Sequence, residues 1–246
     1  MSKNIEVLLR AKETTELFGP KNSFQESLEA QRLPTRFDPV GREEEAELVQ
    51  RVFLLPAYEA PRLVVFYPVG HIDGAVGICA RAGQNLANQT GSSVCVVEGD
   101  LHSPSLHQYF GVDNFRGLTD AALESGPIRD FVHSLSGNNL SVLTGGSRCG
   151  EAQALWTSER MRSRIAELRG EFSYVLVDGP QVSQHVDAML LGQIADGVIL
   201  ILESMVTRRE TARTAKENLA AANVKILGAV LNNHTFSIPE TLYRRL

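Results

Sequence analysis

Glu98 and Asp100 stand one residue apart where the apolar run 93–99 ends. Two carboxylates so placed at a strand terminus are suited to hold a magnesium ion or a metal-bound water. The plainer alternative is a turn cap beside a solvated acid. Asp178 closes a second apolar run, Tyr-Val-Leu-Val-Asp-Gly-Pro, at the position from which nucleotide-binding folds hold magnesium through water. Asp-Gly-Pro is also good turn chemistry without any ligand. A third run, 63–69, leads into Gly70-His71-Ile72-Asp73-Gly74-Ala75-Val76-Gly77 and then a helical pattern. Strand, glycine-containing loop and helix is the order in which backbone N–H groups cradle a phosphate. Ala75 and Val76 occupy the places where a phosphate loop carries Lys and then Ser or Thr. Neither can supply the positive charge or the magnesium-binding hydroxyl, so a bare strand-to-helix turn is the competing reading. Asn232 and Asn233, closing the last apolar run, carry amides that could meet a base edge, or are ordinary turn residues. His102 and His107 suggest a metal pair, but no further ligands accompany them.

Those residues need a scaffold that gathers strand ends on one edge, and the rest of the chain supplies its pattern. Apolar runs at 63–69, 93–99, 140–145, 174–179, 197–203 and 225–232 alternate with helical segments near 76–90, 152–169, 184–194 and 207–222. Most runs are continuous rather than alternating, as strands covered on both faces require. The long connection 101–139 predicts short helices at 117–124 and 128–135. The fold class expected is therefore α/β: three layers, a mostly parallel sheet with helices on both faces, and ligands at the carboxyl ends of the strands. Residues 61–246 form this domain. Residues 1–60 read as a helical arm and linker, with a stripe at Ile5, Leu8 and Leu9, and a second one at Leu48, Val49, Val52 and Phe53 behind an acidic first turn.

Composition closes off other classes. The 246 residues carry 24 basic and 29 acidic side chains, a net charge of −5, which gives no electrostatic case for a nucleic-acid binder. Three cysteines far apart argue against a disulfide scaffold. The longest apolar stretches are strand-length and the N-terminus is charged, so the expected location is cytoplasmic.

The motifs, taken in order, resemble the bacterial tyrosine kinases of polysaccharide biosynthesis, within the MinD/ParA-like P-loop proteins. The resemblance rests on VCVVEGDLHSPSLHQYFGV, GLTDAAL, NLSVLTGG, YVLVDGPQV followed by Asp187, ADGVILILESMVTRRET and ILGAVLNN, and covers about residues 40–246. It implies a P-loop NTPase-like fold and a site for magnesium with ATP or ADP. Gly70, Gly74, Ala75, Val76, Gly77 and Asn232 would lie at the nucleotide, and Glu98, Asp100 and Asp178 at the metal and the chemistry. It also implies self-association through a Glu-rich, Arg-containing helix, with Glu44, Glu45 and Arg51 as counterparts, and a membrane-anchored chain-length or export protein as partner, which would hold the chain at the inner face of the membrane.

The departures from that pattern are Ala75 for Lys, Val76 for the hydroxyl, Glu98 for Asp, His102 for Arg, and the lack of a tyrosine-rich tail. They point to a pseudokinase that regulates its partner by binding. The alternative is an active ATPase or tyrosine autokinase in which another cation, such as Arg81 or Arg208, replaces the Lys. A spatial-positioning protein of the MinD/ParA kind is a third reading, which the polysaccharide-type loop 101–111 disfavours.

Overall fold

A computed structural model describes residues 6–8, 45–55, 60–135, 139–146, 152–182 and 186–233. Its elements in chain order begin with β1 (Glu6–Leu8) and α1 (residues 45–49, continuing as a π-helical turn over Gln50–Leu54). Then come β2 (Leu63–Pro68), α2 (Ala75–Thr90), β3 (Val94–Glu98), α3 (Leu106–Phe110), α4 (Leu118–Leu123) and a 3-10 turn at Ile128–Phe131. The chain continues through β4 (His133–Ser134), β5 (Leu140–Leu143), α5 (Ala152–Thr157), α6 (Glu159–Glu171) and β6 (Tyr174–Asp178). It ends in α7 (Asp187–Ile194), β7 (Gly197–Glu203), α8 (Arg209–Ala221) and β8 (Ile226–Asn232).

The eight strands form one sheet in the order β1-β8-β7-β2-β6-β3-β5-β4. Every pairing is parallel except β4 with β5. Parallel neighbours require crossovers, and the helices that make them cover both faces. The two-residue period of a strand then splits β2 between two cores. Leu63, Val65 and Tyr67 face a cluster with Leu118, Ile165, Leu168, Leu191 and Leu219, while Val64 and Phe66 face another with Ile78, Leu86, Val94 and Phe53. Because strands and crossovers share one direction, the ends of β2, β3, β6, β7 and β8 open on one edge, where the singled-out residues sit.

The α/β architecture expected from the alternating runs is the one observed, with four differences. Residues 6–8 are a strand rather than part of a helical stripe. Three residues are too few to fix a period, and the open edge of β8 offers a ladder in the register Glu6↔Ala229, Val7↔Val230, Leu8↔Leu231. The helix expected over 152–169 is two, because Ser158 takes an extended conformation and its side chain accepts a hydrogen bond from the Met161 N–H, capping α6. The segment 128–135 gives a single 3-10 turn and then the two residues of β4. Finally, the arm helix is part of the core: Leu48, Val49 and Phe53 are buried against α2.

Close packing at one glycine holds the loop that flanks the site. A Cβ on Gly117, which caps α4, would lie 2.3 Å from the Thr144 carbonyl oxygen and 2.4 Å from the Gly146 nitrogen, both main-chain atoms beyond β5. Overpacking against backbone cannot be relieved by a rotamer change. Gly117→Ala should therefore cost about 1–3 kcal/mol in urea unfolding.

Candidate functional site

At the end of β2 the chain makes the turn a phosphate loop needs. Gly70 and Gly74 hold φ of +98° and +76°, a region that favours glycine, and α2 starts directly after Gly74. A Cβ at either position would meet nothing within 4 Å, so backbone conformation rather than crowding calls for glycine here. No side chain caps α2, a 16-residue helix whose positive end lies at this turn; the Ala75 N–H donates to the Ile72 carbonyl at 3.4 Å and the Gly77 N–H to the Gly74 carbonyl at 2.9 Å. Ala75 is buried and Val76 half-buried. Gly77, one position on, is buried under the side chains of Arg81 and Tyr109.

Arg81 is the first basic residue of α2, and it points away from anion duty. Its Nε donates to Glu45 Oε1, and it also bonds Tyr109. Glu45 is 1% exposed. An acid in that interior follows from the stripe Leu48, Val49 and Phe53, which turns the residue three and four positions earlier to the same face. The resemblance implies that Glu45 serves self-association; within this chain its carboxylate is buried and ties α1 to α2. Arg51 is half-exposed and pairs with Glu47, and Glu44 lies outside the described residues. Removing one member of a buried pair is costly, but Arg81 is partly solvated, which screens the loss. Glu45→Gln should lower stability by about 1–3 kcal/mol and make α1 more sensitive to limited proteolysis.

One strand over from β2, the acids do converge. Glu98 and Asp178 are register partners on β3 and β6, and the Asp178 carbonyl accepts hydrogen bonds from the N–H groups of Gly99 (2.7 Å) and Asp100 (3.1 Å). The Glu98 carboxyl is fully buried and already engaged. Its Oε2 accepts from the Ser105 and Leu106 N–H groups at 2.7 and 2.8 Å, and its Oε1 accepts from Asp100 N–H at 3.3 Å. Asp100 Oδ1 accepts from the His102 and Ser103 N–H groups. Burial, then the charge of Asp178, pushes the Glu98 carboxyl well above the usual carboxylate range. Burial, then the charge of Asp100, pushes Asp178 up to about 7. The Cys79 thiol, buried in α2, is raised by the same burial and by both acids.

These donors do not fit a magnesium ion as they stand. Among the described residues no group of three or more His, Cys, Asp or Glu is spaced to hold a metal. Glu98 is committed to backbone N–H groups, and burial raises the Glu98 and Asp178 carboxyls, which disfavours the charged forms that a cation would need. The backbone cradle at Gly74 fits an anion, but no Lys or hydroxyl side chain stands at its helical start.

Two further placements complete the edge. Asn232 closes β8, and its carbonyl accepts from Ser204 N–H at 2.9 Å, which ties the end of β8 to the turn after β7. His102 Nε2 lies 2.6 Å from Asp187 Oδ2 on the first turn of α7, and that carboxylate is buried. The pairing bridges the loop after β3 to the helix after β6. Sequence reading noted both residues and had no signal for their contact, since 85 positions separate them. His107 lies in α3, away from that pair, with its Nδ1 buried and unbonded.

A mostly parallel sheet, a glycine turn into a helix at its carboxyl edge and acids on the adjoining strand ends define a P-loop NTPase-like fold. The comparisons with known proteins agree. The chimerical protein CapA2B2 superimposes with a TM-score of 0.77 at 23% identity, over 93% of each chain. The septum site-determining protein MinD of Pyrococcus horikoshii, solved with Mg-ADP, gives a TM-score of 0.56 at 20% identity, over 75% of this chain and 76% of that one. In sequence the chain is similar to the tyrosine-protein kinase YwqD of Bacillus subtilis, 33% identical over 149 residues, which is 61% of this chain and 63% of the relative. The chain thus matches a little under two thirds of that kinase's length. No family model matches it, and among the described residues no helix is long and apolar enough to cross a membrane.

Proposed function

We propose that this chain is a tyrosine-kinase-like protein of capsule or exopolysaccharide synthesis that acts by binding a membrane-anchored chain-length or export partner and does not transfer phosphate. The observation that carries this reading is the pair Ala75 and Val76 at the start of α2, behind a turn that keeps the conformation of a phosphate loop. The nearby guanidinium of Arg81 is held by Glu45 and supplies no replacement. The raised carboxyls of Glu98 and Asp178 support the same reading, since magnesium is held by ionised oxygen ligands. The similarity to the tyrosine-protein kinase YwqD supports the kinase-like part of the reading. Calorimetric titration of ATP and ADP, each with and without magnesium, tests it. No heat of binding at millimolar nucleotide is expected; micromolar, magnesium-dependent binding with turnover would overturn it.

One observation favours the second reading, an active autokinase or ATPase with a substitute cation. Arg208 is exposed directly before α8, and the adjacent Thr207 hydroxyl donates to the Val69 carbonyl at the foot of the phosphate loop, 3.4 Å away. On that reading nucleotide binding is present in the wild type and lost in both Arg208→Ala and Asp178→Ala.

A further inference from the structure

We propose that the turn between β7 and α8 is a lipid-contact point, which sets Met205 and Val206 into the surface of an anionic bilayer and Arg208 and Arg209 among its phosphates. The inference is independent of whether the chain binds nucleotide. Met205 is 98% exposed and Val206 62% exposed, side by side at the tip of the turn. Exposed apolar residues scattered singly are ordinary; adjacent ones on a rigid tip are a contact surface.

Hydrogen bonds brace the tip against its base. Thr207 N–H donates to the Glu203 carbonyl at 2.9 Å, and Glu203 N–H donates to the Thr207 hydroxyl at 2.8 Å. Ser204 N–H donates to the Asn232 carbonyl, and the Asn233 side chain donates to Glu203 Oε1 at 2.9 Å. Met205 itself holds φ of +63°, which a bulky side chain adopts only where its surroundings impose it. The bracing therefore spends its hydrogen bonds on presenting two apolar side chains to solvent.

Charge selects the occupant. Arg208 and Arg209 follow at the start of α8, both exposed, and among the described residues neither is engaged in an ion pair. Cations beside apolar side chains match an interface that is apolar inside and anionic outside. Glu210, in the first turn of α8, and Glu203, at the base of the turn, set two acids against the two arginines, and the whole chain carries −5. The contact is thus weak alone and salt-sensitive, suited to a chain also held by a partner or by neighbouring copies.

Co-sedimentation of the full chain with phosphatidylglycerol–phosphatidylcholine vesicles, against phosphatidylcholine alone, tests the proposal. Partition is expected only with phosphatidylglycerol. Reversing both arginines (R208E/R209E) should weaken it about tenfold or more, E210K should strengthen it about fivefold, and M205S/V206S should abolish it while melting as the wild type does. Met205→Trp adds a reporter whose emission should shift to the blue with phosphatidylglycerol vesicles only. Equal partition to both vesicle types, no partition to either, or an unshifted Met205→Trp emission would overturn the proposal. Loss of vesicle binding together with self-association that M205S/V206S removes would assign the tip to a second copy instead.

Discussion

Replacing Ala75 with Lys and Val76 with Thr should raise the affinity for Mg-ADP roughly thirty- to a few-thousand-fold over the wild type, the range that one buried charged partner is worth at about 2–5 kcal/mol. The expectation rests on what the loop has kept. Gly70 and Gly74 hold the left-handed conformations that turn the chain, and α2 begins directly after them with no side-chain cap. A nucleotide would thus find the turn and the helix dipole in place, and the two missing side chains are the deficit that the double variant repairs. Ala75 is nearly buried, 7% exposed, so the new Lys must run its stem along the loop while its ammonium reaches the cleft. Calorimetric titration of the double variant beside the wild type reads the result. If the double variant gains nothing, the deficit lies in the acids, and adding Glu98→Asp becomes decisive. That change withdraws the carboxyl by one methylene from the Ser105 and Leu106 N–H groups that hold it. Gain only in the triple variant would mean that Glu98, rather than Ala75, closed the site.

The candidate site was legible in the sequence to the extent that it is made of strand ends. Gly70, Gly74, Glu98, Asp100 and Asp178 each follow an apolar run, and a parallel sheet sends all such ends to one edge. The continuous run 197–203 is β7 to the residue, because a strand buried on both faces needs no context to be recognised. What failed was whatever depended on a distant neighbour. β1 forms because the edge of β8 is open to it, and β4 because β5 passes nearby; neither has a period of its own. The pairs His102–Asp187 and Glu45–Arg81 join residues 85 and 36 positions apart, and no local spacing records them. Glu45 misled for a physical reason: an acid in a charged run looks solvated, yet its place on the Leu48–Val49 stripe decides that it is buried. The same limitation hid the burial of Glu98 and Asp178, which raises both carboxyls above the usual carboxylate range.

That burial sets the sign of the protein's pH dependence. Asp178 has an unfolded pKa near 4 and a folded pKa of about 7, and Glu98 is raised in the same direction. Below about pH 4 both states of the chain are protonated at Asp178, and its burial carries no ionisation penalty. Between about 4 and 7 the unfolded chain releases a proton that the folded chain retains, so stability falls as pH rises through that window. Chemical denaturation should therefore find the wild type about 2–4 kcal/mol less stable at pH 8 than at pH 5, a trend opposite to that of a protein stabilised by ionised carboxylates. Asp178→Asn keeps the shape and cannot ionise. It should regain about 2–4 kcal/mol at pH 8, change little at pH 4, and let Glu98 ionise more readily by removing its closest like charge. The outcome bears on function as much as on stability. A variant less stable than the wild type at pH 8 would show that the Asp178 anion is matched by a cation in the working protein, and the metal-dependent reading would regain its footing. A more stable variant would show an acid pair held against its own ionisation, which favours a chain that keeps the nucleotide fold for binding partners rather than for transferring phosphate.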